Sequence, residues 1–505
     1  MSDETVAEAL RSTARLVVVE APGGCGKTYQ GAQYARDVAP TIGSGRLLIV
    51  THTNAACDVF AERTKGLGNG VEIRTIDGLI TEIAGAYHQC LGLPADVGAW
   101  ARNEINGYDD LANRTALLLT RRPMIATCLA RRYPIMICDE HQDACASRHA
   151  VIMCMHEAGS MLRVFADPMQ MIFAGSAADA AAAKQRWDEL KAGAERLEEL
   201  DTPHRWTEAQ PALGEWILNA RAVLRDGGEI DLSSDLPTGL SVHYASNTSP
   251  QNMGFRIAGN LSQPIYACAN ADSVLVLTGH RKRVTAIRAF LNRRLPIWEG
   301  HVRDSMASLI AHCKANGGNP GELAQGMVTF MGNVGSGFSP SAFGNRFIAE
   351  AQDGCSKACT GKPHHLQSMA RHIVETPDHR GVADALKHLR QLIASENSFA
   401  SIRIDYAREF GEAIQLGRYE NADVGFAEIA NRRSHARPKL PSKAISTIHK
   451  AKGLEFDSVL LMPCDKANFG NTMSARSKLY VALSRATTSL TLVLSKEDPS
   501  PLFKL

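Results

Sequence analysis

The stretch that decides the fold is a glycine-rich loop, which reads Ala21-Pro22-Gly23-Gly24-Cys25-Gly26-Lys27-Thr28. It follows an apolar run at residues 16–19, whose largely β-branched character is typical of a strand buried on both faces of a parallel sheet. In such a loop backbone N–H groups converge on a phosphate, Lys27 reaches the β- and γ-phosphates, and Thr28 offers its hydroxyl to Mg²⁺. Residues 21–28 are therefore predicted to form a nucleoside-triphosphate pocket, although Ala21 stands where a glycine normally opens the motif.

Length and composition set broad limits on the chain. Its 505 residues are too many for one compact core and predict three or four domains, given typical sizes of about 100–200 residues. The net charge of +2 neither requires nor excludes nucleic acid, because a binding groove needs only local positive potential. The acidic N-terminus and the lack of any apolar run near about 18 residues predict a cytoplasmic protein with no membrane partner. The 12 scattered cysteines favour reduced thiols.

Polar residues follow two further strand-like segments. Residues 47–50 run into Thr51, His52 and Asn54, and residues 71–80 include Thr75 and Asp77. Ligands of α/β sheets bind at the carboxyl ends of parallel strands, so we expect these five side chains to contact nucleic acid, with His52 able to stack on a base. Taken alone, the first segment is equally compatible with an ordinary strand-to-helix turn.

An acidic pair follows the apolar residues 135–138. Asp139 and Glu140 stand side by side, and phosphoryl transfer needs one carboxylate to hold Mg²⁺ and another to polarise the attacking water. We assign the first role to Asp139, together with Thr28, and the second to Glu140. The next apolar run, 162–166, leads to Gln170, which is expected to sense the γ-phosphate. An alanine-rich helix is predicted over about residues 177–197.

In their order along the chain, these segments resemble the motifs of a known family. Residues 21–28, 51–56, 139–143 and 167–173 resemble motifs I, Ia, II and III of superfamily 1 helicases of the UvrD/Rep type. Further resemblances are found in residues 200–205 (the opening of the second motor domain), 273–277 (the strand of motif IV), 447–456 (motif V) and 479–486 (motif VI).

The resemblance implies an α/β fold of tandem RecA-like P-loop domains with ATP between them. It assigns residues 1–85 and 121–198 to motor domain 1A, 86–120 to a short 1B insertion, 199–300 and 438–505 to motor domain 2A, and 301–437 to a 2B-like insertion. It also implies that Arg485 meets the charge on the γ-phosphate. Motif V would place Thr447 and His449 near single-stranded nucleic acid, and Gly453 and Glu455 near the nucleotide.

The chain departs from the family pattern at three places. No glutamine precedes Gln30, so the usual adenine-contacting glutamine upstream of the loop has no counterpart and base selectivity stays open. Gly175 and Ser176 stand where the family often has an aromatic residue and an arginine, so we expect DNA binding to rest more on phosphate contacts. The motif IV arginine is displaced, which leaves Arg281 and Arg283 as alternatives, with Arg281 the first choice for the nucleotide.

The second insertion contains a cluster of residues that can bind zinc. These are Cys355, Cys359, His364, His365 and His372. Their spacing matches no standard zinc finger, so we prefer a polar loop to a metal site.

The sequence therefore predicts an ATP- and Mg²⁺-dependent 3′-to-5′ translocase and helicase acting on single-stranded or tailed duplex DNA. The alternative is a DNA- or nucleotide-sensing ATPase subunit that regulates a partner nuclease. The compact UvrD-like subunits of two-component antiphage systems such as Gabija are similar in size. A P-loop kinase or GTPase would leave the segments at 447–456 and 479–486 unexplained.

Overall fold

The computed structural model describes residues 2–104, 106–173, 176–246, 262–299, 303–435 and 441–505. The chain divides into two compact units, Met1–Pro296 with Pro441–Leu505, and Ile297–Leu440. None of the helices in these described ranges combines the length and apolar composition that crossing a membrane requires.

The first unit contains two parallel sheets, and the N-terminal one has six strands. They are β1 (Leu16–Glu20), β2 (Leu47–Thr51), β3 (Val71–Thr75), β4 (Ile135–Cys138), β5 (Met161–Ala166) and β6 (Arg196–Glu199). The strand order is β3-β2-β4-β5-β1-β6, with every pairing parallel. The carboxyl ends of these strands therefore meet at one edge, where the loop of residues 21–26 lies.

Alternation along the strands builds a core on each face of this sheet. In β1, Leu16 and Val18 belong to one core, whereas Val17 and Val19 belong to the other. Both faces need apolar residues because both are covered by helices, which explains the continuous apolar runs of the sequence. The covering helices are α1 (Ser2–Arg11), α2 (Lys27–Val38), α3 (Asn54–Arg63), α4 (Ile76–Ala86), α5 (Val97–Asn103), α6 (Gly107–Arg121), α7 (Pro123–Arg132), α8 (Ala146–Glu157) and α9 (Ala177–Ala192).

The alanine-rich helix is shorter than its sequence predicts. It ends at Ala192, and Gly193 follows it as the C-cap. The prediction that it extends to about residue 197 is wrong, because Arg196–Glu199 forms the edge strand β6 and pairs with β1. An edge strand exposes its side chains, so the polar sequence of β6 shows no buried-strand pattern.

The second sheet lies in the C-terminal half of the same unit. Before the second unit, this half of the chain contains α10 (Pro211–Arg225), β7 (Ile230–Asp231), β8 (Leu240–Ala245), α11 (Ser262–Ala269), β9 (Val274–Thr278) and α12 (Arg281–Phe290). After the second unit, it contains β12 (Lys443–Thr447), α20 (Ile448–Ala451), β13 (Phe456–Cys464), α21 (Met473–Leu483), β14 (Ala486–Ser495) and β15 (Phe503–Lys504). Five of these strands form a parallel sheet in the order β12-β9-β13-β14-β8. The two sheets confirm the predicted tandem RecA-like architecture.

The second unit is mainly helical and has a core of its own. It contains α13 (Asp304–Ala315), α14 (Pro320–Val334), β10 (Gly335–Ser336), α15 (Asn345–Gln352), α16 (Lys362–Glu375), α17 (His379–Ser395), β11 (Arg403–Ile404), α18 (Ala407–Gln415) and α19 (Ala422–His435). The carboxylate of Glu299 accepts the N–H groups of Arg408 and Glu409, both at 2.9 Å, which satisfies the N-terminus of α18.

The boundaries assigned to 1A, 1B, 2A and 2B stay predictions. Helices α5 and α6, which fall largely within the predicted 1B insertion, contribute Ala101, Leu111 and Leu119 to the same core as Val18 of the first sheet. We call the two RecA-like parts of the first unit the first and second motor domains, after their sheets.

Candidate active site

The glycine-rich loop joins β1 to α2, and Lys27 is the first residue of that helix. Gly24 and Gly26 have φ angles of 88° and 83°, which residues with a Cβ rarely adopt. A Cβ on Gly23 would lie 2.7 Å from the side-chain amide nitrogen of Gln170, so a larger residue there would displace that side chain. Consecutive N–H groups in front of a helix N-terminus form an arrangement that binds phosphate.

Other residues of the loop support this conformation from within. Ala21, Pro22 and Cys25 are buried. The N–H of Ala21 donates to the carbonyl of Ala166 at 2.8 Å, which ties the start of the loop to β5. Burial raises the pKa of the Cys25 thiol to about 12, so this cysteine adds no charge to the phosphate site at neutral pH.

Lys27 and Glu140 form an ion pair at the loop. Burial disfavours both charges, but their mutual attraction outweighs it, so the pKa of Lys27 is raised and that of Glu140 is lowered to about 2. Glu140 has a φ of 54°, an unusual value for a residue with a Cβ, and its second carboxylate oxygen accepts from the side-chain amide of Gln142. The carboxylate is therefore ionised and held in a fixed orientation.

Asp139 is suited to hold a divalent cation. It follows β4, it is 3% exposed, and its Oδ1 is buried with no hydrogen-bond partner among the described residues. Burial raises the pKa of Asp139 to about 6, although Lys27 opposes that change. A buried carboxylate oxygen without a partner fits a metal ligand, and Thr28, the other predicted ligand, is half-buried in the first turn of α2.

The side chain of Gln170 lies against the glycine-rich loop, next to Gly23. Its side-chain amide donates to Asp167 Oδ2 at 2.9 Å, and the same carboxylate oxygen accepts the N–H of Gly23 at 3.1 Å. The structure thus brings Gln170 together with the loop through one shared acceptor.

Two arginines approach the loop from the second motor domain. Arg485 is 2% exposed, and its Nη2 lies 3.6 Å from the position of a Cβ on Gly23. Burial and the neighbouring Arg205 lower the pKa of Arg485 to about 10, which leaves it cationic at neutral pH. Arg205, which our sequence analysis missed, contacts the loop beside Gly24 and donates to the carbonyl of Ser484 at 2.6 Å. Its signal was its place in the segment that opens the second motor domain.

The other nucleotide-site predictions lie near these arginines or on α12. Glu455 forms an ion pair with Arg205, and Gly453 turns the chain before it with a φ of 82°. Arg281 is the first residue of α12, and Arg283 bonds Asp465 at 2.6 Å. Arg205 and Arg485 lie at the loop, and the assignment of Arg281 or Arg283 to the nucleotide stays a prediction.

The predicted nucleic-acid residues occupy the ends of three strands. Thr51 and Thr75 are register partners at the ends of β2 and β3. Thr51 Oγ1 donates to the carbonyl of Thr53 at 3.0 Å, and Thr75 Oγ1 accepts the N–H of Gly78 at 3.1 Å. Thr447 ends β12 and is the N-cap of α20.

The remaining predicted contacts differ in their surroundings. Asn54 is exposed at the start of α3, whereas His52 is half-buried and burial lowers its pKa. Asp77 pairs with Arg148 at 2.7 Å, so its charge is already balanced within the first motor domain.

An aromatic platform joins the two motor domains. Phe173 is 57% exposed, its ring centroid lies 6.3 Å from that of His449, and Lys452 Nζ lies 5.0 Å from the Phe173 centroid. Gly175 lies outside the described residues, and Ser176 caps α9 by accepting the N–H of Asp179 at 3.1 Å. Phe173 therefore supplies an exposed aromatic ring two residues before Gly175, the position where the family often has one.

The cysteine and histidine cluster of the second unit is held by hydrogen bonds. The Cys355 thiol donates to the carbonyls of Glu350 and Gln367, and His372 bonds His388 at 3.2 Å. Among the described residues there is no group of three or more metal-ligating side chains placed to hold an ion.

Comparison with known protein families gives two matches. A model of the UvrD/REP helicase N-terminal domain matches residues 97–186, a range that includes Asp139, Glu140 and Gln170. A model of the UvrD-like helicase C-terminal domain matches residues 444–493, a range that includes His449, Glu455 and Arg485. No curated protein matches the chain.

Proposed function

Because the chain belongs to the UvrD/Rep-type helicases, in which ATP hydrolysis is coupled to DNA, we propose that it translocates 3′ to 5′ along single-stranded DNA. The observation that best supports this proposal is the set of residues at the phosphate site. Lys27 and Glu140 of the first motor domain are paired at the loop, and Arg485 and Arg205 of the second approach the same loop. A site assembled from both domains makes hydrolysis depend on how they meet.

Each side chain has a separate task at the phosphates. Lys27 adds a point charge beside the N–H groups of the loop. Glu140, ionised and oriented, accepts a proton from the attacking water, and Gln170 helps to orient that water. Arg485, whose guanidinium is planar and cationic, balances the charge that develops on the γ-phosphate.

A divalent cation completes the site. Asp139 and Thr28 would hold it, and the bound ion supplies neutralisation of the phosphate charge. Mg²⁺ suits this donor set because carboxylate and hydroxyl oxygens are hard ligands.

DNA contacts are proposed along one edge of both sheets. Thr51 and Thr75 end adjacent strands of the first sheet, where their backbone and neighbouring polar groups such as Asn54 meet the phosphodiester. Phe173 stacks on a base, with His449 and Lys452 beside it. Thr447 and the other motif V residues extend this surface onto the second motor domain.

The test combines ATP hydrolysis with strand displacement on 3′-tailed and 5′-tailed duplexes. We expect single-stranded DNA to stimulate hydrolysis and the 3′-tailed duplex alone to be unwound. Lys27→Ala should abolish both activities, whereas Glu140→Gln should lose about 10²–10⁴-fold in turnover but still bind ATP. Full hydrolysis by either variant would refute the site, and unwinding from 5′ tails would refute the polarity. DNA-stimulated hydrolysis without displacement on either duplex would favour the regulatory ATPase.

A further inference from the structure

A buried arginine of the second motor domain reaches the strand ends of the first. Arg221 lies on α10 and is 3% exposed. Its Nη2 bonds Glu20 Oε1 at 2.6 Å and Asp167 Oδ1 at 3.0 Å, and its Nε bonds the same Asp167 oxygen at 3.2 Å. Glu20 ends β1 and Asp167 follows β5, so one guanidinium connects the two strands that flank the glycine-rich loop.

Asp167 passes this contact on to the loop and to Gln170. One carboxylate oxygen accepts from Arg221 and from the N–H of Met169, and the other accepts from the N–H of Gly23 and the side-chain amide of Gln170. The Asp167 side chain is fully buried. With both oxygens engaged, the carboxylate can rotate only if these bonds break.

A second helix of the same domain makes a parallel contact. The hydroxyl oxygen of Tyr480, on α21, accepts the N–H of Gly23 at 2.8 Å. The guanidinium of Arg221 lies 5.9 Å from the centroid of the Tyr480 ring. Although burial disfavours its charge, the carboxylates of Asp167 and Glu20 hold the pKa of Arg221 above its ordinary value. Arg221 is therefore a fixed cation at this contact.

We propose that Arg221 is a positioning residue for ATP hydrolysis, which acts through Asp167 to hold Gln170 and Gly23 in their working positions when the second motor domain packs on the first. This inference rests on the proposed ATPase function. It explains how α10, which carries none of the predicted site residues, makes the geometry of the loop depend on domain packing.

Loss of the guanidinium should act on the chemical step. Without the guanidinium, Asp167 Oδ1 loses both hydrogen bonds from Arg221, so the carboxylate can rotate away from Gly23 and Gln170. Gln170 would then lose its fixed orientation, whereas Lys27 would still bind the phosphates. We therefore expect a loss in kcat larger than any change in the KM for ATP.

The experiment compares Arg221→Gln with Arg221→Lys and a matched control. Arg225 lies one turn further along α10, is 42% exposed, and reaches Glu20 and Glu199 at 3.8 and 3.6 Å. Arg221→Gln should lower kcat about 10²-fold with KM within about threefold, as small misplacements in a site do. Arg221→Lys should recover about tenfold of this loss, because lysine keeps the positive charge but lacks the planar guanidinium that bonds two acceptors at once. Arg225→Gln should stay within about twofold of the wild type.

A double-mutant cycle with Asp167→Asn tests the route of the effect. If Arg221 acts through Asp167, adding Arg221→Gln to Asp167→Asn should cost less than about threefold in kcat. A further loss of about 10²-fold in that background, or a kcat of Arg221→Gln within about threefold of the wild type, would overturn the proposal.

Two controls keep the outcomes distinct. If Arg221→Gln does not fold, as judged by circular dichroism, Arg221→Lys carries the test, and a kcat equal to that of the wild type with a raised KM would overturn the proposal. If the wild type hydrolyses no more ATP than Lys27→Ala, the proposed function fails and this inference falls with it. If Lys27→Ala alone is inactive and Arg221→Gln is not impaired, only this inference fails.

Discussion

The two motor domains share a parallel-sheet fold but contribute opposite charges to the cleft between them. The first supplies acids at or near its strand ends, which are Glu20, Asp139, Glu140, Asp143 and Asp167, together with Lys27. The second supplies Arg205, Arg221, Lys452 and Arg485. Lys452 bonds both oxygens of Asp143 at 2.7 Å, and Arg221 bonds Glu20 and Asp167.

The two motor domains thus share one fold but carry complementary charges at the cleft. Removing one partner of a buried ion pair costs about 3–5 kcal/mol, because the other charge is left uncompensated. Glu20, Asp143 and Asp167 are therefore balanced by cations of the second motor domain, whereas Glu140 pairs with Lys27 of the first. Charge balance in the cleft then depends on the packing of the two domains, which suits a motor whose chemistry must be linked to movement.

Arg485→Ala should have the largest effect among the cations of the second motor domain. We expect turnover to fall about 10³-fold or more, as when an arginine finger is removed, with a smaller change in ATP affinity. Steady-state hydrolysis and equilibrium ATP binding measure the two effects. Arg485→Lys should rescue little, because the planar fork is lost. Hydrolysis within a few-fold of the wild type would transfer the role to Arg205.

Lys452→Met removes a cation that joins the domains without reaching the loop. Besides Asp143, Lys452 donates to the backbone carbonyl of Gln170 at 2.8 Å, so its loss should shift Gln170 and lower kcat about tenfold or more. Lys504→Met is the control, since the Lys504 pair with Asp231 is exposed, and it should stay within about twofold. Equal activity of the two variants in a hydrolysis assay would contradict the balance of charges described above.

Phe173→Ala should weaken DNA binding more than hydrolysis. Loss of a stacked base costs about 1–3 kcal/mol, so we expect about tenfold lower affinity for single-stranded DNA, measured by titration of a labelled oligonucleotide. Because the phosphate contacts remain, a larger share of the binding free energy of the variant should depend on salt concentration. Met124→Ala removes an exposed apolar side chain, 73% exposed, and should not change affinity. Unaltered binding by Phe173→Ala would place the stacking elsewhere.

Glu72→Gln tests the opposite case, a charge cluster confined to the first motor domain. Glu72 pairs with Arg46, Arg74 and Arg132. Burial opposes the charge of Glu72, but the hydrogen bonds from Arg74 and Arg46 outweigh it and lower its pKa to about 2. The variant should lose about 1–3 kcal/mol of unfolding free energy but keep its kcat, because this cluster lies on the edge strand β3.

The pH dependence of this loss of unfolding free energy follows from the direction of the pKa shift of Glu72. A carboxylate with a lowered pKa stabilises the fold above its unfolded value, here 4.5. The stability gap between wild type and Glu72→Gln should therefore be constant from neutral pH to about 5 and narrow as the pH falls toward 2. Thermal unfolding across this range measures it. Asp37→Asn, whose partner Arg11 is exposed, should change stability by less than about 1 kcal/mol.

The sequence determined the sheets and the chemistry at their ends. Apolar runs of four residues report burial on both faces directly, so β1, β2 and β4 were predicted, and β5 was predicted although Arg163 interrupts its run. The glycine-rich loop and the acidic pair are local patterns, because the glycines needed for left-handed turns and the carboxylates after a strand are neighbours in the chain. No distant contact is required to read them.

Only the tertiary structure decided the residues that act across long separations. Arg163 interrupts the apolar run of β5, yet it is buried because it donates to the carbonyls of Leu10, Ser12 and Ala14, in the last turn of α1 and just after it. Arg221 is an ordinary arginine in the sequence, and the contact between Tyr480 and Gly23 spans 457 positions. A side chain's partner across a domain boundary leaves no periodic signal, because it depends on how helices and strand ends pack rather than on the residues beside it.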